Sequence, residues 1–276
     1  MRKLTKIILL IICLLLILLG CFALWLGTGK LTSAKTSFLK TFPYPIALVN
    51  GQAISGKNFI LRLNAANRLS DESTDDAKIA AYNQLIKEEE IRQIAYTHNL
   101  WVSQKEMDAE YDRQSSQAEF KATLNNAGLS PSDFKNQVIG PKLLLNKLRV
   151  WFNSQRSLNQ KNYALADSLT EKITLGQDMP ALASTYSQDQ TGQLTGGDLG
   201  FVDPAGLVSE LREPVANLKT GEVKVLPSSF GLHVIKKEGQ TGNKAHLRQI
   251  FLENSGFDAW LNNQTSKAKV WNLVKI

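Results

Sequence analysis

His98, His233 and His246 are the three histidines of this chain, and no pair of them has metal-ligand spacing. Cys13 and Cys21 both lie near the N-terminus, so the body beyond them holds no disulfide and no thiolate metal site. Asp71, Glu72, Asp75 and Asp76 lack the Gly and closing Glu of a calcium loop and read as a solvated helix start. Glu88-Glu89-Glu90 reads as an exposed helix face. There is no Gly-x-Ser-x-Gly elbow and no phosphate loop. The glycines of Thr195-Gly196-Gly197-Asp198-Leu199-Gly200 precede no strand-to-helix nucleotide signature and serve a tight loop. No cofactor and no metal is expected.

The elements that must position any such site begin with a charge-free stretch. The chain has 276 residues, with 32 basic and 25 acidic side chains and a formal charge of +7. Arg2, Lys3, Lys6 and Lys30 fall in the first thirty positions, leaving 28 basic against 25 acidic residues, or +3, for the rest. A near-neutral body is a poor polyanion binder, so no nucleic-acid partner is expected. Hydrophobic residues at 43% and charged residues at 21% exclude wholesale disorder. Ile7 to Gly27 carries no charge over 21 residues, roughly 31 Å of helix. With Arg2, Lys3 and Lys6 ahead of it, this predicts a single-pass anchor in a bacterial cell membrane, N-terminus cytoplasmic and body extracytoplasmic. Two alternatives stand beside it. One is a cleaved signal peptide, whose apolar core spans only about 7–15 residues. The other is a lipoprotein in which Cys21 of Leu18-Leu19-Gly20-Cys21 is lipidated.

Residues 28–45 read as a tether, rich in Thr, Ser, Lys and Gly with Pro43 and Pro45. Ile46-Ala47-Leu48-Val49 reads as a strand closed by the Asn50-Gly51 turn. Helices should follow: one with Phe59, Ile60 and Leu63 on a face, one capped by Thr74, one opened by the capping box Ser103–Glu106, and one started by Ser130-Pro131. Pro141 should bend or split the last. After about residue 155 the pattern becomes α+β: a helix from Asn159 to Leu175, a short helix near Asp178, the glycine loop, a helix from Asp203-Pro204, and strands around Val223–Leu226 and Leu232–Lys236.

Residues 184–238 resemble the second half of a parvulin domain, a peptidyl-prolyl cis/trans isomerase. The similar segments are Tyr186-Ser187, Gly196 to Phe201, Leu218 to Val223, and Phe230-Gly231-Leu232-His233-Val234-Ile235-Lys236. The preceding module resembles the N-terminal chaperone region of the SurA and PrsA foldases, through Val49-Asn50-Gly51 with Ile54-Ser55, Leu85–Glu89, Ala95 to Lys105, and Gly128-Leu129-Ser130 with Asp133-Phe134. Phe257 to Leu261, on to Val270, looks like the closing helix and strand of such foldases.

The resemblance implies an α+β chain: a transmembrane helix at 7–27, a helical chaperone domain at 46–155, and a parvulin-like domain at 156–240 with a small antiparallel sheet. Residues 241–276 would pack back on the chaperone domain. It implies a foldase that binds unfolded or newly exported polypeptides and isomerises their X–Pro bonds. The alternative is a binding-only chaperone with an inert parvulin domain; an anchored scaffold with one dedicated partner is a third reading. By position, the pocket falls on Leu207 and Leu211 with Phe201 at its edge, and the polar pair on Asp189 and His233. Plain core packing, a loop acid and a structural strand histidine remain open for these positions. The family's first strand, a basic-His-Ile-Leu-Val segment, is missing ahead of Asn159. Either Ala245-His246-Leu247-Arg248-Gln249-Ile250-Phe251-Leu252 fills that place and brings His246 beside His233, or the histidine is lost and His246 is a surface residue.

Overall fold

Asn50 and Gly51 take positive φ, 51° and 86°, the left-handed backbone that a two-residue hairpin turn needs. They join β1 (Pro45–Val49) to β2 (Gln52–Ser55) in antiparallel register. The structure is a computed structural model that describes residues 12, 17, 20–21, 24–28, 31–42, 44–69 and 74–276. It divides into two units, residues 1–143 with 264–276, and residues 144–263.

In the first unit α1 (Ser33–Thr41), α2 (Gly56–Leu69) and α3 (Thr74–Thr97) accompany a three-stranded sheet of order β2-β1-β7, where β7 is Val270–Asn272. Ile46, Val49, Phe59, Ile60 and Leu63 form its core. α4 (Gln104–Ser115) opens on a full capping box: the Glu106 N–H donates to the Ser103 hydroxyl, and the Ser103 N–H donates to the Glu106 carboxylate. α5 (Ala118–Ala127) follows, then α6 (Pro131–Phe134) capped by Ser130, a π-helical turn over Lys135–Ile139, and α7 (Gly140–Ser154), which belongs to the second unit from Leu144 on. The π-helical turn falls just ahead of Pro141, which has no N–H to bond four residues back, and the Gln137 carbonyl there accepts from Arg62 Nη2 at 2.8 Å.

Three expectations are corrected here. The stretch read as a tether contains α1, capped by Thr32 and with Leu39 fully buried; its polar composition masked the one apolar face. The transmembrane helix at 7–27 and the single-pass location are overturned: among the described residues no helix is long and apolar enough to cross a membrane. Most of that stretch lies outside the described residues. Its described end, residues 24–27, is helical, and Leu26 is fully buried in one core with Leu39, Ile46 and Val274. The Lys35 ammonium donates to the carbonyl oxygens of Leu26 and Thr28. The end of the apolar run therefore serves the protein's own core and carries a cation beside it. Lipidation of Cys21 is not shown either.

The second unit holds α8 (Gln160–Thr174), α9 (Met179–Tyr186), α10 (Gln190–Thr195), β3 (Asp198–Val202), a 3-10 turn at Pro204–Gly206, α11 (Ser209–Ala216), β4 (Val223–Pro227), β5 (Gly231–Thr241), β6 (Lys244–Glu253) and α12 (Gly256–Thr265), which runs to the unit's boundary. Its strands pair antiparallel in the order β3-β6-β5-β4. β6 thus lies inside the sheet. Strand residues alternate between faces. Leu232, Val234, Ile250 and Leu252 pack with Leu169, Ile173 and Met179 on one face; Ile235, Ala245 and Leu247 pack with Leu211 and Val215 on the other. The C-terminal segment expected to pack back as a block is divided: β6 and most of α12 belong to this unit, while β7 pairs with β1.

Candidate functional site

His233 sits on β5 on the α11 side of the sheet, in register with Leu226 on β4 and Phe251 on β6. Its ring lies against Phe251, centroids 5.0 Å apart. Both ring nitrogens are engaged: Nδ1 is 3.0 Å from Gln249 Oε1, and Nε2 is 2.8 Å from Ser228 Oγ. With Gln249 Oε1 facing Nδ1, the pairing fits a proton on Nδ1 and an Nε2 that accepts from the Ser228 hydroxyl. Burial pushes the His233 pKa below its ordinary value, outweighing the upward pull of the Gln249 bond and the Glu210 charge. Burial thus favours the uncharged ring.

Ser228 is itself held from several sides. Its N–H donates to the Gly231 carbonyl at 2.8 Å, and its carbonyl accepts from Asn153 Nδ2 at 2.7 Å. Asn254 Nδ2 donates in turn to Asn153 Oδ1 at 2.7 Å and to Asn159 Oδ1. The neighbouring Ser229 N–H donates to Glu210 Oε1 at 2.8 Å. Burial works against the Glu210 carboxylate, yet the hydrogen bonds it accepts, led by that from Ser229, hold its pKa below the ordinary value. Serine, histidine and glutamine stand in the order of nucleophile, base and orienting group. Ser228 is 0% exposed and its Oγ also accepts from the Phe230 N–H, so no substrate carbonyl can reach it. The array orients a ring and does not form covalent bonds.

Leu211, 4% exposed, packs with Leu226 and Ile235 on the His233 face, and the partly buried Leu207 packs against the same cluster. Asp189 caps α10, its carboxylate accepting from the N–H groups of Thr191 at 3.2 Å and Gly192 at 3.0 Å. The segment before it runs along β6: the Gln188 N–H donates to the Phe251 carbonyl at 2.7 Å, and the Phe251 N–H donates to Ser187 Oγ at 3.1 Å. Asp189 is therefore fixed beside the strand that carries His233's neighbour.

Phe201 and His246 belong elsewhere. They pair in register between β3 and β6, rings 4.9 Å apart, on the sheet face opposite His233. Along β6, His246 is five residues from Phe251, roughly 17 Å. The idea that β6 brings His246 beside His233 is overturned, although the segment does take an interior place in the sheet. His246 Nε2 lies 2.9 Å from Asp198 Oδ1. The Gly200 N–H, then the His246 bond, hold the Asp198 pKa below its ordinary value. Asp198, Glu238 and His246 could converge on a metal ion. Arg248 already bridges the two carboxylates, Nη2 3.2 Å from Asp198 Oδ2 and Nε 2.9 Å from Glu238 Oε1. A permanently charged guanidinium fills the cation's place.

The residues missed from sequence are Gln249, Ser228 and Phe251. The signal was there for two of them: Arg248-Gln249-Ile250-Phe251-Leu252 has the basic-His-Ile-Leu-Val pattern with Gln in the histidine's position. Ser228 read only as a turn residue.

The family described as the SurA-like N-terminal domain matches residues 1–149, and the PPIC-type PPIASE domain matches residues 142–241. The chain is 40% identical over 117 residues to the chaperone SurA of Pseudomonas fluorescens, covering 38% of this chain and 28% of that protein. It is 26% identical over 187 residues to the foldase protein PrsA of Caldanaerobacter subterraneus, covering 60% and 58%. The crystal structure of the peptidylprolyl isomerase PrsA from Bacillus anthracis is 24% identical and covers 67% of this chain and 87% of its own, at a TM-score of 0.26, an overlap too small to carry an argument. The chain spans less than two thirds of the length of these curated relatives.

Proposed function

The chain belongs to the SurA-like N-terminal domain family and carries a PPIC-type PPIASE domain, and from that premise we propose that it is a foldase which binds unfolded polypeptides and isomerises their X–Pro bonds. The helical first unit is the chaperone part and the second unit the isomerase. Rotation about an X–Pro bond takes tens of seconds or more unaided, because the amide has double-bond character. Speeding it needs a surface that grips the proline ring, keeps water out and favours the twisted amide, which has lost its charge-separated resonance. We assign the grip to Phe251 with Leu207 and Leu211, and the polar centre to His233 with Ser228 and Gln249. Asp189, by capping α10, holds the Ser187-Gln188 segment against β6. Phe201 and His246 are left out of the site.

The observation that carries this reading is the buried His233 ring, held at both nitrogens and lying against Phe251, where burial favours its uncharged form. A neutral array does not stabilise the planar amide's separated charges, as an ion would. One observation favours the binding-only chaperone instead: Leu211 is nearly fully buried, which narrows the apolar surface left for a proline. Titrating a short proline-containing peptide into isotope-labelled protein tests the placement. Shifts centred on Leu207, His233 and Phe251 support it. Shifts centred on Phe201 and His246 contradict it.

A further inference from the structure

The proposed isomerase reading needs His233 in one protonation state, but does not say what sets it. Two neighbours touch the ring nitrogens, and they are not equivalent. The Ser228 hydroxyl can donate or accept, so it tolerates either tautomer. Gln249 turns its carbonyl oxygen toward Nδ1 at 3.0 Å, and in that orientation the amide accepts from the ring. Its backbone is pinned as well, the Gln249 N–H donating to the Gly197 carbonyl at 2.9 Å in the glycine loop.

We propose that Gln249 is a positioning residue that fixes His233 as the neutral, Nδ1-protonated tautomer and thereby sets the direction of the Ser228 hydroxyl. With Nε2 unprotonated, the hydroxyl donates to it and keeps a lone pair for the Phe230 N–H at 3.1 Å. With the proton on Nε2, the hydroxyl would accept from two donors and its own proton would need a new acceptor. Gln249 thus orders the turn over Ser228, Ser229 and Phe230 as well as the ring. The inference deepens the isomerase reading and rests on it only for the catalytic consequence. The charged groups on this face are few: Glu210 on α11, whose carboxylate holds the Ser229 N–H; Lys237 on β5, which donates to the Leu218 carbonyl at 2.8 Å; and Lys224 on β4, two residues from Leu226. α7 contributes the uncharged Asn153, and β6 contributes Gln249 and Phe251.

The test is the long-range proton–nitrogen spectrum of the His233 ring in the full-length protein, recorded from pH 8 to pH 5.5, with Gln249→Leu and Gln249→Glu beside the wild type. The wild type is expected to show a protonated Nδ1 and a bare Nε2. Gln249→Leu loses that pattern to a mixture or to the Nε2-protonated form. Gln249→Glu restores it and moves the ring's titration upward by about 1–3 pH units, as an adjacent carboxylate does. A wild-type ring protonated on Nε2 overturns the proposal whether or not the variants fold, and so does a Gln249→Leu ring with the wild-type pattern. Cis/trans exchange of a proline peptide on the same samples separates the two ideas. A wild type with the expected ring pattern but no acceleration overturns the isomerase reading and supports the positioning role.

Discussion

Gly197→Ala should loosen the sheet at Gln249, and the size of the effect follows from two costs. Gly197 has φ 77°, in the left-handed region, where an alanine costs about 1–2 kcal/mol. A Cβ there would also fall well inside contact distance of the Gln249 carbonyl oxygen and 3.0 Å from the Ala183 Cβ. Neither neighbour is the end of a flexible side chain, so the loop must back away from β6. That strains the 2.9 Å bond from the Gln249 N–H to Gly197, and overpacking of this kind costs about 1–3 kcal/mol. The total is about 2–5 kcal/mol. Gly200 is the internal control: its φ is 65°, and nothing lies within 4 Å of an added Cβ, so Gly200→Ala meets only the first cost. Amide hydrogen exchange at Ile250 and Leu252 reads both, with about 1.4 kcal/mol per tenfold change in rate. Gly200→Ala should speed exchange by about 5- to 30-fold, and Gly197→Ala by about 30-fold or more. Equal effects from the two variants would refute the close approach of the glycine loop to β6.

Two further outcomes are expected. The folded His233 pKa lies below its ordinary value of about 6.5, so below that pH the unfolded chain takes up a proton that the native ring refuses. Stability should fall there by up to about 1.4 kcal/mol per pH unit until the folded ring also titrates, and stay flat above it. His233→Gln should remove this slope, read as the difference in denaturation midpoint between pH 7.5 and pH 5.5; an unchanged slope would mean the ring is not the group responsible. Asp189→Ala should cost about 0.5–2 kcal/mol through loss of the α10 cap, and Asp189→Ser should recover most of it. An Asp189→Ser protein that is stable but has lost proline-peptide binding would put Asp189 in contact with substrate and contradict its role as a cap.

What could be read in the sequence was local. Ser103 and Glu106 announce their capping box, Asn50-Gly51 its hairpin, and Ser130-Pro131 its helix start, because each signal acts within four residues. Leu232–Lys236 reads as a strand on its own β-branched content. Sheet faces are not local. Bulges between Asp198 and Gly200 on β3, and between Lys237 and Gly239 on β5, set which residues meet. Phe201 therefore pairs with His246 and not with the His233 face. Strand parity alone separates His246 from Gln249, three positions apart and so on opposite faces. Had Ile250 been assigned to the buried face, Gln249 would have been the residue beside His233. Counting charge-free residues also misled at the N-terminus, where Leu26 packs against Leu39 and Val274.

The central claim is that the His233 face speeds rotation about X–Pro bonds. Two-dimensional NMR exchange between the cis and trans forms of a short X–Pro peptide, with the full-length protein at catalytic concentration, tests it directly. The account predicts exchange well above the uncatalysed rate, reduced by Phe251→Ala and by His233→Gln, and untouched by Phe201→Ala on the opposite face. Exchange at the uncatalysed rate across a panel of residues preceding proline would contradict it, and would leave the chain a chaperone that binds without isomerising.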